Sequence, residues 1–124
     1  MAVPILKQSQ YLIATIQSAL SDAELVELRD SLTEQVGRYR SHGIIVDVTA
    51  LDVLDSFASR TLRDVAYMVR LRGAETVIVG IQPEVAFAMV QLGITLEDVA
   101  TALDLEEGLA YLDKQKRKSG RDRP

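Results

Sequence analysis

The sequence predicts an α/β domain, a mixed and mostly parallel sheet of four to five strands with about four helices packed against it. Two observations carry most of that expectation. Gly43-Ile-Ile-Val-Asp-Val48 and Thr76-Val-Ile-Val-Gly-Ile81 are near-continuous β-branched runs, the pattern of strands buried on both faces. Between them lies a segment of helical period, so strand, helix and strand form one parallel crossover, expected to be right-handed. Capping signatures ahead of further helical segments supply a third observation, and they place helices on either side of this unit.

Met1 to Ser9 and Tyr11 to Ile16 read as two short strands of a hairpin. Pro4 has no N–H to donate, so the first strand belongs at a sheet edge. Ser21-Asp-Ala-Glu24 has the form of a capping box, and Leu25, Leu28, Leu32, Val36 and Tyr39 follow it at helical spacing to about Arg40. Asp22, Glu27, Asp30 and Glu34 lie mostly off that stripe as a solvated face. After the first buried run a helix is expected from about Ser56 to Arg72, with Ala58, Leu62, Val65, Ala66 and Val69 turned inward and Gly73 ending it. Pro83 suits the first position of a third helix, which Gly93 closes, with Ala86, Met89, Val90 and Leu92 as its apolar side. Thr95 to Leu103 has room for one more short strand. Asp104-Leu-Glu-Glu107 repeats the capping signature and opens a last helix from Leu105 to about Lys116.

The 124 residues, 48% hydrophobic and 26% charged, fit one globular domain. No cysteine is present, which excludes disulfides and thiolate chemistry in this sequence and suits a reducing compartment. The apolar part of the N-terminus is too short for a signal peptide, and no stretch approaches the roughly 20 apolar residues of a transmembrane helix. The expectation is a cytoplasmic protein. Charge is unevenly spread. Residues 1–113 hold eight Lys+Arg against seventeen Asp+Glu, a net of −9, whereas residues 114–124 hold six Lys+Arg against one Asp, a net of +5. An acidic body disfavours nucleic acid as the main partner. The division expected is a domain over 1–113 and a basic, disordered tail over 114–124.

The chemistry of the chain concentrates in Thr49-Ala-Leu-Asp-Val-Leu-Asp-Ser-Phe57, the crossing from strand to helix. Asp47, Asp52 and Asp55 could suggest a magnesium or aspartyl-phosphate site. The residues after the first two strands (Ser9, Gln10, Gln17, Ser18) are not acidic, and no lysine occurs between Lys7 and Lys114. A site of that type would need both, so no metal and no cofactor are expected. Hydrolysis is disfavoured because His42 stands alone and no Gly-x-Ser-x-Gly elbow exists. The glycines are scattered rather than gathered in a phosphate loop. The chain does not read as an enzyme. Asp55 or Ser56 is placed to cap the helix. A phosphate on Ser56 would meet the open amides and positive dipole end of a helix, and would add about −1.5 to −2 charges beside Asp55 and Asp52. Ser59, one turn on, is the rival acceptor. Thr49 can hydrogen-bond within the loop. Arg60, Arg63, Tyr67 and Arg70 form a second stripe on the helix, either solvated or a partner-docking surface.

These residues carry a resemblance. Pro4-Ile-Leu-Lys7, Val53-Leu-Asp-Ser-Phe57, Gly80-Ile-Gln-Pro83 and Thr101-Ala-Leu-Asp-Leu105 with Gly108-Leu109 resemble the STAS domain of bacterial anti-sigma factor antagonists. The matching blocks run from residue 4 to about 112. Phe57 and Ala58 stand where many antagonists have Ser or Thr and then Gly, which favours the RsbS branch of the stressosome. The resemblance implies a non-enzymatic scaffold whose Ser56 is phosphorylated by an RsbT-type serine kinase. Asp55, Asp52, Asp47, Thr49 and Phe57 would form its surroundings. It further implies that the unmodified chain holds the kinase in a large assembly with RsbR-type STAS paralogues, and that an RsbX-type phosphatase resets the switch. An RsbR-type protein would bring an additional N-terminal domain, which is not expected here. The alternatives are a STAS module binding a small anion or nucleotide, a simple anti-sigma factor antagonist, or a structural subunit with an inert Ser56.

Overall fold

The computed structural model describes residues 3–121, with side chains through Lys118. Five strands and four helices follow in the order β1 (Ile5–Gln8), β2 (Tyr11–Thr15), α1 (Asp22–Tyr39), β3 (Gly43–Asp47), α2 (Ser56–Arg70), β4 (Glu75–Val79), α3 (Pro83–Gln91), β5 (Ala100–Ala102) and α4 (Leu105–Arg121). The strands form one sheet in chain order. β1 pairs antiparallel with β2, and β2 to β5 are mutually parallel. This is the mixed α/β architecture expected, with the Pro4 strand at the edge.

The two faces of the sheet are covered unequally. Leu12, Ala14, Ile44, Val46 and Ile78 point to the side packed by α1, α2 and α3, where Leu28, Leu32, Leu62, Val65 and Val69 complete the larger core. Tyr11, Ile13, Ile45, Val77 and Val79 point to the other side, which α4 covers with Leu105, Leu109 and Leu112. Both faces of β3 and β4 are therefore dry, which is why their sequences are continuous rather than alternating. α4 can lie close to the sheet because Gly108 is beside Val79 and Leu112 sits over Gly43. A Cβ on Gly43 would come within 2.7 Å of the Leu112 side chain. At the far end, the Tyr11 hydroxyl donates to Asp113 at 2.5 Å and ties α4 to β2.

The capping box of α1 forms as read: Ser21 accepts from the Glu24 amide and Glu24 from the Ser21 amide. At α4 the second arm shifts by one residue. Asp104 accepts from the Glu107 N–H, but Glu107 accepts from Leu103.

Two expectations are corrected. In α3 the buried residues are Val85 and Met89, whereas Ala86 is exposed and Val90 and Leu92 are 79% and 74% exposed. A nine-residue helix in which nearly every position is apolar has no polar face to define its phase, so periodicity could not choose the inward side. The second correction concerns the C-terminus. The basic segment from 114 is not a disordered tail as far as it is described, because α4 continues through it to Arg121. Lys, Gln and Arg are good helix formers, and cations favour a helix C-terminus. Residues 122–124 of the expected tail, like Met1 and Ala2 of the expected first strand, lie outside the described residues.

Candidate functional site

The strand-to-helix crossing is built as a loop with two apolar anchors. Leu51 and Leu54 are buried, while Asp52, Val53 and Asp55 between and beside them face solvent. The Leu51 N–H donates to the Val48 carbonyl, which tightens the first turn of the loop. Asp55 has an extended backbone and is the N-cap of α2, its carboxylate accepting from the Ala58 N–H at 2.8 Å. The order of the pair Asp55-Ser56 thereby assigns the roles: the aspartate caps, and Ser56 is the first helical residue with an exposed side chain. Two shallow apolar grooves flank this loop. One runs toward α1 over Ile16, Leu20, Leu25 and Leu62, the other toward α3 over Val85, Met89, Leu92 and Ile94, with Ser56 on its rim.

Each carboxylate of the region has a separate task. Asp47, at the end of β3, accepts from the Thr49 N–H at 2.9 Å and from the Thr49 hydroxyl at 2.6 Å. Asp55 caps, and Asp52 extends into solvent. Among the described residues, no group of three or more His, Asp or Glu side chains is arranged to hold a metal ion. Phe57 is half-buried and its carbonyl accepts from the Thr61 hydroxyl.

Ser59, the rival acceptor, is 0% exposed, and its hydroxyl has no hydrogen-bond partner. A phosphate there would require α2 to lift from the core. Of the second stripe, Arg60 and Tyr67 are exposed and Arg63 is half-buried. Arg70 donates to the Asp98 carbonyl at 2.7 Å and so helps hold the α3–β5 connection.

The β4–α3 turn completes the site. Gly80 has φ of +83° and packs against Thr49, and the Gln82 side-chain amide donates to the Thr49 carbonyl at 2.7 Å. The loop carrying Ser56 is thus pinned from below by Asp47 and from the side by Gln82. Residue chemistry alone does not reveal this support. Its available signal was the Gly-x-x-Pro spacing between a buried strand and a helix, which demands a tight turn beside the crossing.

Comparison with known proteins agrees with this architecture. RsbS from Moorella thermoacetica, in a serine-to-glutamate variant, superposes with a TM-score of 0.79 at 32% identity over 93% of this chain and 97% of that one. A chain of the stressosome, described as a signal integration and transduction hub, superposes with a TM-score of 0.73 at 30% identity over 92% and 99%. The RsbT co-antagonist protein RsbRA of Bacillus subtilis is 33% identical over 82 residues, which cover 66% of this chain. The match spans 30% of that relative's length. Residues 2–108 match the model of the STAS domain, and the chain belongs to that family.

Proposed function

We propose that the chain is a phosphorylation-switched scaffold whose acceptor is the Ser56 hydroxyl, and that its unmodified form sequesters an RsbT-type serine kinase within a stressosome-like assembly. The observation that carries this reading is the contrast between the two serines: Ser56 is exposed at the first turn of α2, and Ser59 is sealed in the core. A kinase can reach the first without disturbing the fold. The cap is already supplied by Asp55, so esterifying Ser56 removes no intramolecular hydrogen bond that holds α2. Open amides at the helix start tolerate the phosphate, while its charge falls next to Asp52 and Asp55 and on the rim of the α3 groove. A surface with an apolar groove and an adjustable charge suits a partner that is bound in one state and released in the other.

The names of the similar proteins support a stressosome setting with RsbR-type paralogues as assembly partners. In the same proposal an RsbX-type phosphatase resets Ser56. The α2 stripe, exposed at Arg60 and Tyr67 and half-buried at Arg63, is the adjoining docking surface. Incubation with the cognate kinase and ATP, followed by mass mapping, tests the assignment. Ser56→Ala is expected to abolish labelling while Ser59→Ala retains it. Normal labelling of Ser56→Ala would remove Ser56 from the mechanism. Ser56→Asp should weaken kinase binding by at least about tenfold, an effect of about 1.4 kcal/mol; unchanged affinity by titration would remove the release step.

A further inference from the structure

α4 differs from the other helices in where it stops. Its last buried anchor is Leu112, over Gly43, followed by the hydrogen bond from Tyr11 to Asp113; beyond it, Gln115 is half-buried and Arg117 acts on the Tyr11 phenol through its charge. Gly43 and Tyr11 are the first residues of β3 and β2, so the helix has reached the edge of the sheet by residue 113. It continues to Arg121, about 12 Å farther at 1.5 Å per residue. Lys114, Lys116, Arg117 and Lys118 on this extension are exposed, and none forms an ion pair among the described residues. Helix-dipole stabilisation acts only within the last turn and leaves Lys114 and Lys116 unexplained. Helical turns without tertiary packing are marginal in water, so the extension gains most when something covers it.

The opposite end of the molecule has the complementary charge. The parallel strands deliver all four helix N-termini to the same end, and the preferred first-turn residues are acidic. Asp22, Asp52, Asp55, Glu84, Asp104 and Glu106 lie there. The connecting segments 15–25, 47–58, 79–87 and 101–109 contain no Lys or Arg, and the first cation along α2 is Arg60. The molecule is therefore polar from end to end, with a protruding basic helix at one pole and an acidic platform at the other.

We propose that the basic extension of α4 docks on the acidic pole of a second copy of this chain, forming a head-to-tail contact. Charge complementarity selects this occupant over RNA or an anionic membrane. The body of net charge −9 repels a polyanion, and the extension carries no interleaved aromatics. A contact between unlike surfaces repeats, so it builds rings or open chains rather than a closed twofold dimer. The contact requires no modification of Ser56, although a phosphate there would add to the negative charge of the acidic pole.

Sedimentation velocity on the full chain at low salt tests this. The wild type is expected to associate with rising concentration, and the association should weaken at least about tenfold as salt is raised toward 0.5 M. Reversing the basic pole (Lys114→Glu, Lys116→Glu, Arg117→Glu, Lys118→Glu) should abolish self-association, as should reversing the acidic pole (Asp22→Lys, Glu84→Lys, Glu106→Lys). An equimolar mixture of the two should associate again, because each then offers what the other lacks. Circular dichroism checks that both are folded; if either is not, Gln at the four basic positions is expected to give an intermediate loss. A wild type that stays monomeric, association indifferent to salt and to these substitutions, or failure of the mixture to recover would each overturn the proposal. So would a non-associating wild type whose extension instead binds a labelled RNA or anionic phospholipid vesicles.

Discussion

Gly80→Ala tests the claim that the β4–α3 turn holds the loop carrying Ser56. Two costs arise. Gly80 has φ of +83°, where a residue with a Cβ is disfavoured by about 1–2 kcal/mol. The new methyl would also lie 1.9 Å from Thr49 Oγ1, 3.0 Å from its Cβ and 3.2 Å from its Cα. Thr49 has little freedom to retreat. Its hydroxyl and N–H are both held by Asp47, and its carbonyl accepts from Gln82. Moving it costs at least one hydrogen bond, about 1 kcal/mol. The total expected is about 2–4 kcal/mol, a large share of the roughly 5–15 kcal/mol of a domain this size.

Urea unfolding followed by circular dichroism measures it as a lower midpoint at unchanged slope. The two contributions separate in a double-mutant cycle with Thr49→Gly, which removes the side chain the methyl strikes but leaves the backbone conformation of residue 80 unfavourable. The double variant should therefore lose about 1 kcal/mol less than the sum of the singles. A Gly80→Ala cost under about 0.5 kcal/mol, or strict additivity in the cycle, would refute the pinning of the loop.

Other expectations are more local. Asp55→Ala removes the cap of α2 and should cost about 1 kcal/mol by chemical denaturation, with Asp55→Ser largely sparing it. Ser59→Ala replaces a buried hydroxyl that has no partner, so its stability should be unchanged or higher by up to about 1 kcal/mol, an unusual result for a core position. Burial and the bond to Asp113 push the Tyr11 phenol from 10.0 up to about 12, so the folded state favours the neutral form. The contribution is complete below about pH 10 and is lost as pH rises through about 12; Tyr11→Phe should flatten that alkaline decline in a melting series.

The legible parts of the fold were those with redundant signals. β3 and β4 combine β-branched composition with uninterrupted burial, and α1 joins a capping box to a regular stripe, so several rules agree on each. α3 was legible as a helix from Pro83 but not in its orientation, because an almost wholly apolar sequence leaves the rotation to tertiary packing. The extension of α4 was missed for a related reason. Charge-rich composition describes both a disordered terminus and a solvated helix, and only continuity with Leu105, Leu109 and Leu112 separates them. At the candidate site, the Asp-Ser pair pointed to the helix start, yet sequence spacing alone kept Ser59 as a rival. One turn along a helix at its entry to a core is the difference between water and full burial. Gln82 and Gly80 lie far from Thr49 in sequence, and their support depends on β3 and β4 being neighbours in the sheet.

The borders of the sheet limit how such a chain joins others. At one border Pro4 precedes a short strand that presents Lys7, and the pairing of β1 reverses direction relative to the rest. At the other, β5 is three residues long and its register with β4 ends at Ala102. Short strands, proline and lysine discourage continuous hydrogen bonding with a neighbouring chain. In the proposed assembly, contacts would then run through side chains on its helices and connecting loops. Such contacts can be strengthened or broken by a change of charge, whereas an extended ladder of backbone hydrogen bonds between chains could not be dissolved by a single phosphate.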